Sequence, residues 1–434
     1  MIVDFKRASR LLHESFWIIT GQITAVLGSF VLIRICTDNL TLAQYGELAI
    51  ALSIAMVINQ VISGGVTSSV GRHYSIALEK NQLSSYFSGS VVLIAGSFGL
   101  MLICCFLVAL LLVYSDNQEW LTFLVIVTFL SMFNALNATM AEIQNAARKR
   151  LIVAVHAGTD AWLRVLFAVI FFIILDRSSE IVALAYLTAA LVIACSHLYF
   201  LGLTLPISKV MWFKSTENKW FQSIWRQAWP LSFWGIFTAI QLGSDRWALG
   251  HFSSLEMVGA YAVLYQVGFV PMTLLGGVLT KLLGPIVFQK AGDATDLDRI
   301  EEVFKITKNA VFGMLTVTLL ISFAAYFWHD IVLKLLVNEA FRAFSYLLPI
   351  MVLAGGFQSC HHLIGLRITS GLSVRKIMVP QIVFAILFCI LNSFGAYIGD
   401  LNGLVLCFLL GSLVSIIWIV FYSERIKIHK FLIQ

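Results

Sequence analysis

Arg34-Ile35-Cys36-Thr37-Asp38-Asn39-Leu40-Thr41-Leu42-Ala43-Gln44-Tyr45-Gly46 closes one apolar run and opens the next. A related stretch does the same near the middle of the chain: Arg246-Trp247-Ala248-Leu249-Gly250-His251-Phe252-Ser253-Ser254-Leu255-Glu256-Met257-Val258-Gly259. Leu, a bulky residue and Gly recur at an offset of 213. One span further on, Gly64-Gly65-Val66 with Gly71 returns as Gly276-Gly277-Val278 with Gly284, at offsets of 212 to 213. The chain therefore reads as two copies of one unit.

What lies between these landmarks is almost wholly apolar. A membrane span needs about 20 consecutive, mostly apolar residues. Twelve such runs are expected at residues 15–36, 47–63, 86–114, 120–142, 151–175, 181–203, 229–249, 257–280, 310–328, 346–366, 377–398 and 401–422. With 59% hydrophobic and 12% charged residues in 434, a soluble domain would have far more apolar surface than it could bury. Six spans return the chain to its starting side, so the two copies share one topology and are related by an axis along the membrane normal. The expected fold is all-α and polytopic: an amino-terminal lobe of six helices at 1–203, a cytoplasmic interfacial linker at 204–228, and a carboxy-terminal lobe of six helices at 229–434. Trp212, Trp220, Trp225 and Trp229 among the linker's Lys and Arg fit a helix lying in the headgroup layer.

Charge placement orients the chain. Of 29 Lys and Arg, 23 fall in alternate connections, beginning with Lys6, Arg7 and Arg10 and ending with Arg425, Lys427 and Lys430. The opposite connections hold Arg177, Lys334 and Arg342, and three more, Arg34, Arg164 and Arg246, lie inside spans. Basic residues beside spans resist translocation, so both termini are expected in the cytoplasm. The first apolar run lacks a small-residue cleavage pattern and is expected to remain as span one. The net charge of +6 is this topology signal and carries no implication of nucleic-acid binding. The seven cysteines are scattered without metal or disulfide spacing and read as small apolar fillers.

Two six-plus-six architectures satisfy this pattern. After span two, Gly71-Arg72-His73-Tyr74-Ser75-Ile76-Ala77-Leu78-Glu79-Lys80 lacks the Gly, Asp-Arg and Gly-Arg-Arg pattern of major facilitators. An Arg closing span one, a short polar link and Tyr45-Gly46 opening span two instead resemble the polysaccharide transport branch of the multidrug/oligosaccharidyl-lipid/polysaccharide superfamily. So do Asp245-Arg246, Leu255 and Gly259-Ala260-Tyr261 at the start of the second half. The chain is similar to the Wzx-type O-antigen and capsule-unit flippases, through span count, loop sizes and repeat over its whole length and through short local motifs. That resemblance implies a V-shaped pair of lobes in a bacterial inner membrane, moving an undecaprenyl-pyrophosphate-linked oligosaccharide from the cytoplasmic to the periplasmic leaflet without a cofactor. The implied partners are that lipid-linked substrate, membrane lipids, and the polysaccharide polymerase and chain-length regulator of such a pathway.

Ionisable residues inside a membrane are costly and are functional candidates by default. His156, Asp160 and Arg164 are spaced four and four and share one helical face of span five. At 1.5 Å per residue Asp160 lies about 13 Å and Arg164 about 20 Å beyond the start of that span. Two readings stand: an Asp–Arg pair that neutralises itself and locks packing, or a stripe on a hydrated cavity where Arg164 meets an anion and Asp160 or His156 takes up a proton. Arg34 and the pair Asp245-Arg246 occupy corresponding ends of spans one and seven, where a guanidinium either snorkels to the interface or holds pyrophosphate through its two-pronged fork. The expected substrate contacts are Arg34, Arg164, Arg246, Asn134, Asn137, His361 and Arg367, and the expected ion-coupling groups are Asp160, His156 and Asp245. Asn134, Asn137 and Gln144 could bind sugar hydroxyls, but amides in membrane helices more often hydrogen-bond to a neighbouring helix, and His361 and His362 equally suit an interfacial pair.

No ATPase-type phosphate loop occurs, so energy would come from an ion gradient or from consumption of product. A drug or cation exporter of the same superfamily usually offers acidic or apolar cavity groups, whereas three Arg and two Asp lie within these spans. A membrane polymerase would need a large outer loop, and the longest outward connection, about 330 to 343, is too short to build an active site. A purely structural lipid scaffold has no need of a charged mid-membrane stripe.

Overall fold

A backbone in hydrocarbon has to satisfy its own N–H and C=O groups, and the helix does so within one segment. The computed structural model describes residues 2–204, 219–292, 296–370 and 375–433, with side chains from residue 16 except at 18, 203–218, 293–295, 297, 371–380 and 426–434. Lys6, Arg7, Arg10, Lys209, Trp212, Lys214, Arg375, Lys376, Lys427 and Lys430, used above to orient the chain or to describe its linker, lie outside those side chains.

Twelve helices account for nearly all of the described residues. They are α1 Ile2–Asn39, α2 Leu42–Glu79, α3 Leu83–Tyr114, α4 Leu121–Ala146, α5 Arg150–Ile174, α6 Ser179–Thr204, α7 Lys219–Phe252, α8 Leu255–Ala291, α9 Leu297–Leu336, α10 Leu348–Ser370, α11 at 375–398 and α12 at 401–433. The last two read as one rod except at Gly399 and Asp400, which leave helical geometry, Asp400 with a φ of 47°. Gly395 and Gly403 sit face to face across this break, so that a Cβ on Gly395 would meet the Gly403 carbonyl oxygen at 2.5 Å. Ten of the described segments are long and apolar enough to cross a membrane, the tenth holding both α11 and α12. α7 is long enough and more polar, with Gln222, Arg226 and Gln227 in its first turns. The chain is an all-α, multi-pass membrane protein.

α2 and α8, which follow the two Arg-to-Gly motifs quoted above, each contain a single π-helical turn, Asn59–Ser63 and Tyr265–Phe269. Such a turn adds a residue to the helix and re-aims the side chains beyond it. α9 is 40 residues long, about twice what a span requires. Its charged first turns, capped where the Asp296 carboxylate accepts from the Asp298 N–H at 3.0 Å, occupy much of what the sequence shows as a connection at 281–309.

Two compact units make up the chain, Met1–Leu40 with Glu47–Gly243, and Thr41–Gly46 with Ser244–Gln434. In unit 1, α1 lies on α5 at Gly21 and Gly28, where an added Cβ would meet Ala154 and Ala161 at 2.9 Å. α2, α3, α4 and the start of α7 close around Val70, Tyr86, Ile143 and Ile224, with the Tyr86 hydroxyl donating to the Val70 carbonyl at 2.8 Å. Trp220 belongs to this core and is not an interfacial anchor: it is buried edge-on to Tyr86 and His73 and donates to Gln82 Oε1 at 3.1 Å. α3 presents Leu100, Ile103, Phe106, Leu107 and Leu110 outward along its length, a surface suited to lipid.

In unit 2 the most enclosed element is α10, with 72% of its apolar stretch buried against at most 44% for any other span. Small residues make this possible. A Cβ on Gly355 would meet the Phe269 carbonyl oxygen at 2.6 Å, and Ser359 occupies the space over Gly276. The start of α2 crosses the start of α8 in the same unit through the repeat-related glycines: a Cβ at Gly46 would fall on the Leu255 carbonyl oxygen, and one at Gly259 on that of Leu42.

The alternation of helices and the basic-residue bias lead to one topological prediction. In a cysteine-free background, single cysteines at Asn117, Ser178, Ser253 and Asn338 are expected to react with an impermeant thiol reagent applied from outside, and one at Lys149 is not. Protection of any two of the first four overturns the arrangement.

Candidate functional site

Five of the ten residues expected from the sequence to bind substrate or ions lie in two clusters, one in each unit. In unit 1 the stripe on α5 forms as its spacing requires. Asp160 Oδ2 pairs with Arg164 Nη2, each side chain about one-quarter exposed. The guanidinium also lies over the Tyr186 ring of α6, 4.6 Å from its centroid, a favourable cation–π position. Asp160 Oδ1 and Arg164 Nε remain buried without a hydrogen-bond partner among the described residues. The ion pair therefore leaves one hydrogen-bonding atom of each partner unused among the described residues.

His156, one turn earlier, turns toward α6. Its Nδ1 lies 2.8 Å from the Ile152 carbonyl oxygen and its Nε2 2.9 Å from Ser196 Oγ. Its ring stacks on His197 with centroids 3.8 Å apart and 18° between planes.

In unit 2, Asp245 is 1% exposed and highly engaged. Its Oδ1 accepts from the backbone N–H of Arg246 at 2.7 Å and faces Arg246 Nη1 at 3.2 Å, while Oδ2 accepts from the Tyr261 hydroxyl at 2.6 Å. The Arg246 guanidinium lies 4.3 Å from the centroid of Tyr265 and 5.8 Å from that of Tyr261. Tyr265 opens the π-turn of α8 and stacks on Phe269, which lies edge-on to Phe408. The repeat-related Arg34 is different in kind: it pairs with Asp38 at 2.9 Å, one turn on, both about 40% exposed, so that water and ions weaken the bond.

The remaining candidates sit in helix seams. Asn137 Nδ2 donates to the Ala190 carbonyl of α6 at 2.9 Å, the neighbouring-helix reading of that amide, and Asn134 is half-buried on the same helix. His361 Nδ1 lies 3.2 Å from the Ser415 carbonyl oxygen. Arg367 donates from Nε to Thr307 Oγ1 at 2.7 Å and covers the Phe304 ring at 4.6 Å, with Ser423 and Glu424 at its other end. These contacts tie α10 to α9 and α12.

Tyr186, His197 and Tyr265 were not singled out from the sequence, and Tyr261 only as part of the Gly259-Ala260-Tyr261 motif, yet all four frame the charged groups. A signal existed for two of them. Tyr261 and Tyr265 stand one turn apart in the span that follows Asp245-Arg246, and a buried tyrosine needs a partner for its hydroxyl.

The family model of the polysaccharide biosynthesis proteins matches residues 11–291, more than half of the chain. The chain belongs to the polysaccharide biosynthesis protein family. Its fold is that of MOP-superfamily transporters. An inward-facing MATE multidrug resistance transporter of that superfamily superposes with a TM-score of 0.68 at 13% identity, covering 93% of this chain and 95% of that one. A point mutant of the Vibrio cholerae MATE transporter VcmN gives 0.67 at 15% identity with 98% of both chains covered. The lipid II flippase MurJ, in an inward closed conformation, gives 0.68 at 12% identity over 97% of this chain and 91% of that one. No curated protein matches this polysaccharide biosynthesis family member in sequence.

Proposed function

We propose that the protein is a flippase that carries an undecaprenyl-pyrophosphate-linked oligosaccharide, the repeat unit of O-antigen or a related polysaccharide, from the cytoplasmic to the periplasmic leaflet of a bacterial inner membrane by alternating access. Both termini face the cytoplasm, and the product goes to a polymerase and its chain-length regulator on the far side. The observation that carries this reading, beside family membership, is Arg164. A guanidinium about 20 Å into a span, held by one carboxylate and with Nε unpartnered among the described residues, retains hydrogen-bonding capacity for an anion. A disubstituted pyrophosphate offers pairs of oxygens that match its planar fork. Arg246 supplies a second cation in unit 2.

A cation exporter of the same fold would need a carboxylate open to its cargo. Asp245 is engaged by Arg246 and Tyr261 instead, and Asp160 is paired with Arg164 through Oδ2, its Oδ1 being unpartnered among the described residues.

Arg164→Ala is expected to lower binding of the lipid-linked headgroup about 10- to 100-fold, the worth of a charge-assisted contact of about 1.5–3 kcal/mol, and to remove surface polysaccharide. Arg164→Lys is expected to retain part of the activity, because the charge survives and the fork does not. Normal polysaccharide from the alanine variant at normal protein level would reduce the Asp160–Arg164 pair to a packing device.

A further inference from the structure

Resting on that reading for the identity of the headgroup, we infer that the stacked imidazoles of His156 and His197 form a one-proton site whose occupancy tunes how strongly Arg164 holds its anion. The Ile152 carbonyl can only accept, so His156 Nδ1 carries hydrogen whether the ring is neutral or charged. On the other side Nε2 faces a hydroxyl, and Ser196 can donate to a neutral ring or accept from a protonated one. The site therefore accommodates both states of His156 without loss of a hydrogen bond.

His197 supplies the second half. Its Nδ1 is buried without a partner among the described residues, and so are both amide atoms of Gln144 on α4. α4 and α6 run in the same direction as alternate spans, and Asn137 bonds to Ala190 across their seam. Seven residues, two turns, further along each helix bring Gln144 to the level of His197. Unsatisfied polar atoms of both helices thus collect at one depth beside the stack, where a proton or a bound water would satisfy them. Two imidazolium charges 3.8 Å apart would repel strongly in a poorly solvated site, so the pair takes one proton.

The charged and titratable neighbours are few. α5 itself presents Arg150, Asp160 and Arg164, α6 presents Tyr186 and Tyr199, and α4 presents uncharged Gln144 with Glu142 exposed beyond it. The stretch of α1 packed on α5, residues 17–28, carries no titratable side chain. Asp160 is thus the carboxylate one turn from the stack, and its Oδ1 is the unpartnered one. A proton on the pair offers Asp160 a second cation, loosens its hold on Arg164 and frees the guanidinium for the headgroup. By linkage, a headgroup on Arg164 favours the proton to the same extent. Affinity for the anion rises as pH falls, by at most about tenfold per pH unit for one proton.

The test uses the full-length protein in nanodiscs and an undecaprenyl-pyrophosphoryl monosaccharide, whose disubstituted pyrophosphate does not titrate near neutrality. Its Kd is measured from about pH 5 to 8, where histidine titrates, alongside nitrogen-15 NMR of the histidine rings. The wild type is expected to tighten toward acid by up to the tenfold-per-unit limit. The double variant His156→Gln with His197→Phe, which leaves no imidazole to bind a proton, is expected to flatten the dependence, while either single variant keeps one ring and is expected to keep a slope. Asp160→Asn, which severs the link from the stack to Arg164, is expected to bind more tightly at all pH values and with no slope. In the spectra, one of the two rings takes a proton over the same range and the other stays neutral. An unchanged slope in the folded double variant, or two rings that remain neutral throughout, overturns the inference. If the double variant does not accumulate, the wild-type ring titration decides. If the lipid binds at no pH, the proposed function fails, and the ring titration then decides the one-proton site by itself.

Discussion

Replacing Arg246 with alanine is expected to abolish surface polysaccharide and also to reduce the amount of protein in the membrane. Asp245 is among the least exposed charged groups described, and its carboxylate is balanced by the guanidinium next to it, with the Tyr261 hydroxyl and one backbone N–H as further donors. Truncation of Arg246 leaves that carboxylate buried and uncompensated, which costs about 3–5 kcal/mol. Such a loss is a large part of the stability of a typical domain. Two causes of inactivity then overlap, unfolding and a lost headgroup contact, and they separate in a double variant. Asp245→Asn with Arg246→Ala removes the stranded charge while Tyr261 keeps a hydrogen-bond acceptor, so protein level is expected to recover. Polysaccharide is expected to stay absent, because no cation remains at that place in unit 2. Arg246→Lys alone is expected to retain intermediate activity. Recovery of polysaccharide by the double variant, measured on whole cells with immunoblots for protein, would make Arg246 a structural counter-ion and nothing more.

Valine at Gly46 or at Gly259 is expected to be among the most destructive substitutions at the described glycines. At these positions the backbone of α2 lies directly on that of α8, and the Cβ of any side chain would occupy the site of a carbonyl oxygen, that of Leu255 or of Leu42 respectively. No rotamer relieves a clash between Cβ and backbone, so one helix has to move. The surrounding contacts, including Tyr45 edge-on to Phe341 at 5.6 Å, resist that movement. Losses above about 4 kcal/mol arise from a short list of mechanisms that includes overpacking of this kind. The matched control is Gly277→Ala, where nothing lies within 4 Å of the added carbon. There alanine is expected to stabilise the helix by up to about 1 kcal/mol through its higher propensity. Thermal melts of the purified protein in detergent provide the measurement, and a Gly259→Val protein that melts with the wild type would show that the crossing tolerates separation.

The glycine repeat shows how far sequence reading reaches. Gly46 and Gly259 are conspicuous as residues at an offset of 213, but nothing in either segment says that these two segments meet within one unit. Gly71 and Gly284 make the same point from the opposite side. They are related by the repeat, yet a Cβ at Gly71 would press on Glu142 at 2.9 Å while one at Gly284 would make only ordinary contact with the Phe288 ring at 3.8 Å. Arg34 and Arg246 diverge likewise: one is a half-exposed i, i+4 ion pair, the other is enclosed by two tyrosines.

Some of the candidate chemistry was legible because helical spacing settles it locally. Residues four apart in one helix are neighbours whatever the rest of the molecule does, so Asp160 pairs with Arg164 as their positions require. Partners on other helices have no such rule. His156 lies on the same stripe, but its side chain is committed to Ser196 and His197, and Arg367 is committed to Thr307 and Phe304.

By itself the sequence determined that this chain spans the membrane many times and that it is helical throughout its spans, and it shows like residues recurring at a fixed offset in the two halves. Each of these follows from a short-range or additive quantity: the cost of unpaired backbone in hydrocarbon, the apolar content of a run, the spacing of like residues. Only the tertiary structure decided which polar side chains meet. Contacts between helices depend on rotation about each axis and on sliding along it, and in an apolar helix of nearly uniform surface those two freedoms are set by a few small residues and by the partners they admit.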